Sequence, residues 1–166
     1  MNQKARGFTI VELLIVIVVI GILAAISIVA YNTVQGKAAD SRRKHDMATI
    51  QRALQAYNVL HGGVPRVSTY NGGSGFGGWD VSTHSTWLSF LRGGNGNMPV
   101  DPLNSTVSTI DPNVAGNYVY RYFCYDAGSW SSFPDSANVV IGYRSASNIY
   151  TTFARFRVDS CLTAVP

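Results

Sequence analysis

The stretch FTIVELLIVIVVIGILAAISIVA, Phe8 to Ala30, decides how the rest of the chain is read. From Leu13 to Ala30 no charge appears, and the residues are mostly Ile, Val, Leu and Ala. That run is near the lower limit for a membrane-spanning helix, and Phe8 to Val11 extend it to about 20 residues. Ahead of it stands MNQKARG, with positive charges at Lys4 and Arg6. Positive charge on this short side places the N-terminus in the cytoplasm. The run is longer than the apolar part of a secretory signal peptide, and no helix breaker follows before Gly36. Its single charge is Glu12, the only glutamate in the protein. A carboxylate at mid-membrane costs about 2.5–3.5 kcal/mol, less near a helix end, so its default reading is a functional group with a partner.

Working outward, the helical pattern continues past the apolar run. Tyr31 to His61 contains no proline, and Gly36 is its one weak point, at about 1 kcal/mol relative to Ala. Met47, Ile50, Leu54, Tyr57 and His61 recur at spacings of three and four, which predicts one packing face. Arg42, Arg43, Lys44, Gln51, Arg52 and Gln55 occupy the other faces. Gly62-Gly63 and Val64-Pro65 stop the helix. Phe8 to His61 as one helix would measure about 80 Å at 1.5 Å per residue.

Beyond Pro65 the texture changes. Tyr70 to Asp80 and Gly93 to Asn97 are glycine-rich loops, with a short helix expected between them over Ser82 to Arg92. Met98 to Pro112 reads as an extended, turn-rich connection. Three segments rich in Tyr, Val, Phe and Ile follow, Asn117 to Asp126, Asn138 to Ser145 and Ile149 to Asp159, and each is expected to be a strand. The short gap over 145–148 makes the last two an antiparallel hairpin. The fold class is therefore α+β: a long N-terminal helix, apolar in its first half and amphipathic in its second, packed against a small antiparallel sheet of three or four strands.

Charge and cysteine content narrow the function. Without Lys4 and Arg6 the formal charge of +4 drops to eleven basic against nine acidic side chains, and from Pro65 onward six arginines face six aspartates. A neutral head gives no electrostatic case for specific nucleic-acid binding. The basic surplus lies on the helix, in Lys37, Arg42, Arg43, Lys44 and Arg52 against Asp40 and Asp46. Two cysteines outside the cytoplasm, Cys124 and Cys161, favour a disulfide over two free buried thiols. Such a bridge would close a loop of about 37 residues and contribute about 3–4 kcal/mol. His45, His61 and His84 are too few and too scattered for a metal centre, and no Ser elbow, P-loop or GxGxxG is present, so no enzyme is expected. The tyrosines Tyr118, Tyr120, Tyr122 and Tyr125, with Trp79, Trp87 and Trp130, are read as mainly core rather than as an adhesive aromatic surface.

A short basic leader ending in Gly7, then Phe8, then Glu12 and an apolar run resembles the class III signal of the type IV pilin and pseudopilin family. The resemblance extends through DSRRKHDMATIQRALQAYNVLHGGVP, Asp40 to Pro65, to the second half of the long pilin helix. Many pilins carry a proline just before the aromatic at the end of the membrane run, whereas this chain has Val29 in that region. The resemblance implies a leader over 1–7, a membrane and filament-core helix over 8–30, an amphipathic second half over 31–64 and a head over 65–166. It implies cutting between Gly7 and Phe8 by a prepilin peptidase, N-methylation of Phe8, and pairing of Glu12 with the N-terminal amine of a neighbouring subunit. It also raises the expectation of a Cys124–Cys161 bridge, since many pilins carry a disulfide near the C-terminus. The implied partners are further copies of the chain, the peptidase, the inner-membrane assembly machinery and the membrane itself. The precursor would be a single-pass inner-membrane protein and the product an extracellular filament.

Met98 to Asn104, MPVDPLN, resembles the loop region of major pseudopilins, some of which bind calcium there. Asp101, Asp111 and Asp126 are the candidate ligands, but no D-x-D-x-D loop is present and Asp-Pro pairs also simply shape turns. No cofactor is therefore expected. The expected function is a structural subunit of a pilus-like filament. The alternatives are a pseudopilin of a type II secretion or competence machine and a monomeric membrane-anchored binding domain.

Overall fold

An 18-residue apolar window and, farther along, a 3-4-3 pattern of Met47, Ile50, Leu54 and Tyr57 sustain one helix, α1, over Ile10–His61. In the computed structural model, which describes residues 7–70, 78–92, 98–103, 114, 116–128, 135–147 and 149–166, α1 continues through Gly36 without a break. The positively charged part of the leader, the glycine-rich stretches over 71–77 and 93–97, most of the 98–112 connection and Trp130 lie outside the described residues. Gly62, with φ of 69°, ends the helix, and its N–H donates to the Asn58 carbonyl at 2.8 Å. This left-handed conformation is the usual glycine stop.

The chain divides into two compact units, Met1–Ala38 and Ala39–Pro166. The first contains the apolar part of α1, and none of its most apolar window is buried. Leu13, Ile17, Ile20, Leu23 and Ile26 all stand more than half exposed.

The second unit holds the core. Its short elements are β1 Val64–Pro65, α2 Val67–Tyr70, β2 Asp80–Val81, a 3-10 turn at Ser89–Arg92, and β6 Cys161–Leu162. Its main strands are β3 Tyr120–Tyr125, β4 Asn138–Arg144 and β5 Tyr150–Arg157. The sheet runs β2-β3-β4-β5, antiparallel throughout, and β1 pairs separately with β6 in parallel. Pairing places Tyr120 opposite Tyr143, Tyr122 opposite Ile141 and Cys124 opposite Val139. Strand alternation sends these six to the face that meets Met47, Ile50, Leu54 and Tyr57 of α1, with Trp87 and Leu88 filling the same core. Between Ile141 and Gly142 the β4–β5 register shifts. A Cβ at Gly142 would come within 2.6 Å of the Thr151 carbonyl, so the two strands approach there as only glycine permits.

The antiparallel α+β architecture matches the sequence expectation, while several boundaries differ. β3 starts three residues later and ends one earlier than the apolar segment suggests, β5 starts one later and ends two earlier, and β4 starts as expected and ends one earlier. Ser82 to Arg92 forms turns and a single 3-10 turn rather than a helix, because Trp87 and Leu88 are both drawn into the core. Leu88 sits at φ of 42°, and its N–H donates to the fully buried Asp80 carboxylate at 2.9 Å. His61, expected on the packing face, is exposed, and its ring lies tilted against Tyr57 with centroids 4.2 Å apart. Arg43, expected on an outer face, is fully buried.

Candidate functional site

The start of α1 is built by two side chains three residues apart. Thr9 precedes the helix, and its carbonyl accepts the first helical bond from the Leu13 N–H at 3.3 Å. The Thr9 N–H and hydroxyl both donate to Oε2 of Glu12 at 2.7 Å, while the Glu12 N–H donates to Oγ1 of Thr9 at 3.3 Å. This reciprocal capping box satisfies backbone donors that the first turn leaves orphaned. The spacing T-x-x-E announces it, so Glu12 has a partner within its own first turn as well as the external one that the resemblance implies. A carboxylate has about four acceptor positions, and Thr9 takes two, so Glu12 retains capacity for a cation placed before Thr9. Gly7 and Phe8 lie there, outside the helix, with Phe8 83 % exposed. Past Glu12, α1 offers apolar surface with no covering element among the described residues of its unit.

Farther along α1 the head is fastened by a buried ionic network. Arg43 is held in a fork, Nε donating to Oδ2 of Asp101 at 2.7 Å and Nη2 to Oδ1 at 3.0 Å. Its Nη1 donates to Asp40 at 2.8 Å, and the guanidinium lies 4.9 Å from the Tyr118 ring centroid. Asp40 also accepts the Ala146 N–H at 2.8 Å, and Asp101 accepts the Leu103 N–H at 2.9 Å. One arginine thereby ties α1 to the 98–103 segment and, through Asp40, to the β4–β5 turn. Burial opposes the Arg43 charge, but the Asp101 and Asp40 carboxylates outweigh it and raise its pKa above the ordinary arginine value. One helical turn on, Asp46 accepts the Tyr120 hydroxyl at 2.8 Å. Burial first, then this bond, push the Tyr120 phenol well above the usual tyrosine range. Trp87 closes the arrangement by donating Nε1–H to the Pro99 carbonyl at 2.9 Å.

The remaining candidate residues fall in separate places. Cys124 and Cys161 form a disulfide with Cα atoms 5.8 Å apart, joining β3 to β6. Of the calcium candidates, Asp101 is the fully buried partner of Arg43, Asp126 pairs with Arg66 at 2.6 Å, and Asp111 lies outside the described residues. Among the described residues no group of three or more His, Cys, Asp or Glu is placed to hold a metal ion. Tyr120 and Tyr122 are core residues, while Phe123, Tyr125 and Trp79 cluster together, half-buried, on the other face.

The prokaryotic N-terminal methylation motif matches residues 2–28. A fimbrial protein of Eikenella corrodens is 39 % identical over 88 residues, covering 53 % of this chain and 50 % of its own. A type IV major pilin protein of Neisseria gonorrhoeae is 36 % identical over 72 residues, covering 43 % and 44 %. The type IV narrow pilus major component of Thermus thermophilus is 34 % identical over 92 residues, covering 52 % of this chain and 79 % of its own. The chain spans about half the length of the first two relatives. No solved structure matches it significantly.

Proposed function

The chain belongs to the type IV pilin family, and on that premise we propose that it is a structural subunit of a type IV pilus. The observation that carries this reading is the first half of α1, an apolar surface left bare within its own unit and headed by the Thr9–Glu12 box. In water that surface is unfavourable by about 25 cal/mol per Å², so it must meet lipid or other copies of itself.

The proposed sequence of events starts with a single-pass precursor in the inner membrane, residues 1–7 on the cytoplasmic side. A prepilin peptidase cuts between Gly7 and Phe8, and Phe8 becomes the methylated N-terminus. The new amine carries positive charge at a helix start whose dipole repels it, and Glu12 one turn in is the nearest counter-charge. In a bundle of such helices the Glu12 of one copy compensates the amine of the next, because an unpaired charge in an apolar core is costly. Residues 8–30 then pack in the filament core, residues 31–64 lead outward, and the head from Pro65 faces the surroundings. Catalysis has no part in this scheme, and neither does a cofactor.

The test is electron microscopy of the fraction sheared from cells that express the chain and from cells lacking it. Filaments present only in the first support the proposal. Processed protein that stays in the membrane, with no filaments, would favour a pseudopilin of a secretion machine instead.

A further inference from the structure

The side chains of β3 that point away from α1 build a small cavity together with the segment that follows the helix. Phe123 and Tyr125 flank Cys124, so strand alternation sends them to the outer face of the sheet, where their rings tilt together with centroids 4.4 Å apart. They line a cavity of about 250 Å³ whose other walls come from Arg66, Ser68, Gly78 and Asp126. Trp79 backs the pair, 5.3 Å from Phe123 and 6.2 Å from Tyr125. Gly78, at φ of 84°, puts no side chain before these rings, and a Cβ there would stand 3.4 Å from the Phe123 ring. The polar part of the cavity is the Arg66–Asp126 pair, 2.6 Å apart, with side chains 41 % and 45 % exposed. Arg66 is aimed by a second bond, its Nε donating to the Cys161 carbonyl at 3.4 Å. The exposed Ser68 adds a hydroxyl.

We infer that this cavity binds one neutral sugar ring. Sites for drug-sized ligands run from about 300 Å³ upward, so this one admits a single ring. A pyranose has an apolar C–H face that suits the Phe123–Tyr125 wall, and a fringe of hydroxyls, each both donor and acceptor. The paired guanidinium and carboxylate offer donors and acceptors side by side and together carry no net charge. An anion would meet Asp126, a cation would meet Arg66, and either would have to disrupt the pair in order to bind. A purely apolar group would cover the pair and Ser68 without replacing the hydrogen bonds they make to water. The inference goes beyond the pilus reading and does not depend on it, because the site lies wholly within the head.

The experiment is saturation-transfer NMR on the full chain in micelles of a detergent that carries no sugar. The probes are the methyl glycosides of glucose, galactose and mannose, with methyl glucuronide as the charged control. At least one neutral glycoside is expected to receive saturation, mainly on its C–H protons, and to bind about tenfold or more tightly than the glucuronide. Y125A removes part of the aromatic wall and S68W fills the cavity, and each is expected to lower the signal by about fivefold or more. The disulfide on a non-reducing gel and unchanged heat stability confirm that the variants fold, and S68W carries the test should Y125A not fold. D126N leaves Arg66 without its counter-charge, so the glucuronide should then bind at least as well as the neutral probe. Silence from all three neutral glycosides, or wild-type signal from the folded variants, would overturn the site. So would a D126N chain that still rejects the glucuronide. Saturation of p-cresol that the variants abolish, with the glycosides silent, would assign the cavity to a peptide side chain instead.

Discussion

Glu12 and Arg43 are two charges on one helix, and they differ in what completes them. Arg43 is fully buried, and its own chain provides two carboxylates and an aromatic face. Glu12 is exposed, and its own chain provides one neighbour, Thr9, which fills about half of the carboxylate's capacity. The same contrast holds for the apolar residues around them. Met47, Ile50 and Leu54 are wholly buried under the sheet, while Leu13, Ile17 and Leu23 stand more than half exposed. A charge completed within the chain stabilises the fold, whereas one left partly open among bare apolar residues points to assembly. Substitutions at the two positions should therefore separate stability from polymerisation.

The largest effect is expected at Glu12. Glu12→Ala should leave the membrane-anchored precursor at normal levels and the head as heat-stable as before, yet reduce sheared filament by tenfold or more, roughly the consequence of one uncompensated charge in an apolar core. Normal filament yield would break the contrast with Arg43. The opposite behaviour is expected of Arg43→Ala, which leaves Asp101 buried and unpaired and should cost about 3–5 kcal/mol. Urea unfolding of the detergent-solubilised chain measures it. A loss below about 1 kcal/mol would mean that the network contributes no more than a surface ion pair.

Removing the Cys124–Cys161 bridge with C161S ranks next, at about 2–4 kcal/mol. It should loosen β6 from β3 without touching the N-terminal box, so precursor processing ought to continue. The smallest effect belongs to Tyr120→Phe, which removes the bond to Asp46 and should cost about 1 kcal/mol at neutral pH. Its signature is in alkali. The Tyr120 pKa is raised in the folded state, so its contribution is fully present below the unfolded value of about 10 and is lost as pH rises beyond it. The variant should therefore lose stability less steeply above about pH 10 than the wild type. Equal slopes would contradict the buried, neutral phenol.

Most of α1 was legible in the sequence because its signals are local. An unbroken apolar run, a 3-4-3 stripe and a Gly-Gly stop each depend on near neighbours. The three main strands were legible for the same reason, through Tyr- and Val-rich segments. What the sequence hid depends on partners far away in the chain. Arg43 reads as a solvent residue beside Arg42 and Lys44, and only Asp101, 58 positions on, explains its burial. The two-residue strands β1, β2 and β6 have no periodicity to detect, and β1 pairs with β6 through Val64 and Cys161, far apart in the chain. At the N-terminus the capping role of Glu12 is local and legible from the T-x-x-E spacing to Thr9. Asp101 and Asp126 read in the sequence as turn formers or hard-oxygen ligands, and their arginine partners Arg43 and Arg66 lie 58 and 60 positions away.

The central claim is that the chain is cut before Phe8 and polymerised through the helix that begins there. Intact-mass and N-terminal analysis of protein sheared from the cell surface tests it most directly. A chain starting at Phe8 with one added methyl, recovered in high-mass polymers, is the predicted result. A chain still starting at Met1, found only in detergent-extracted membranes, would contradict both steps and leave α1 as a plain membrane anchor.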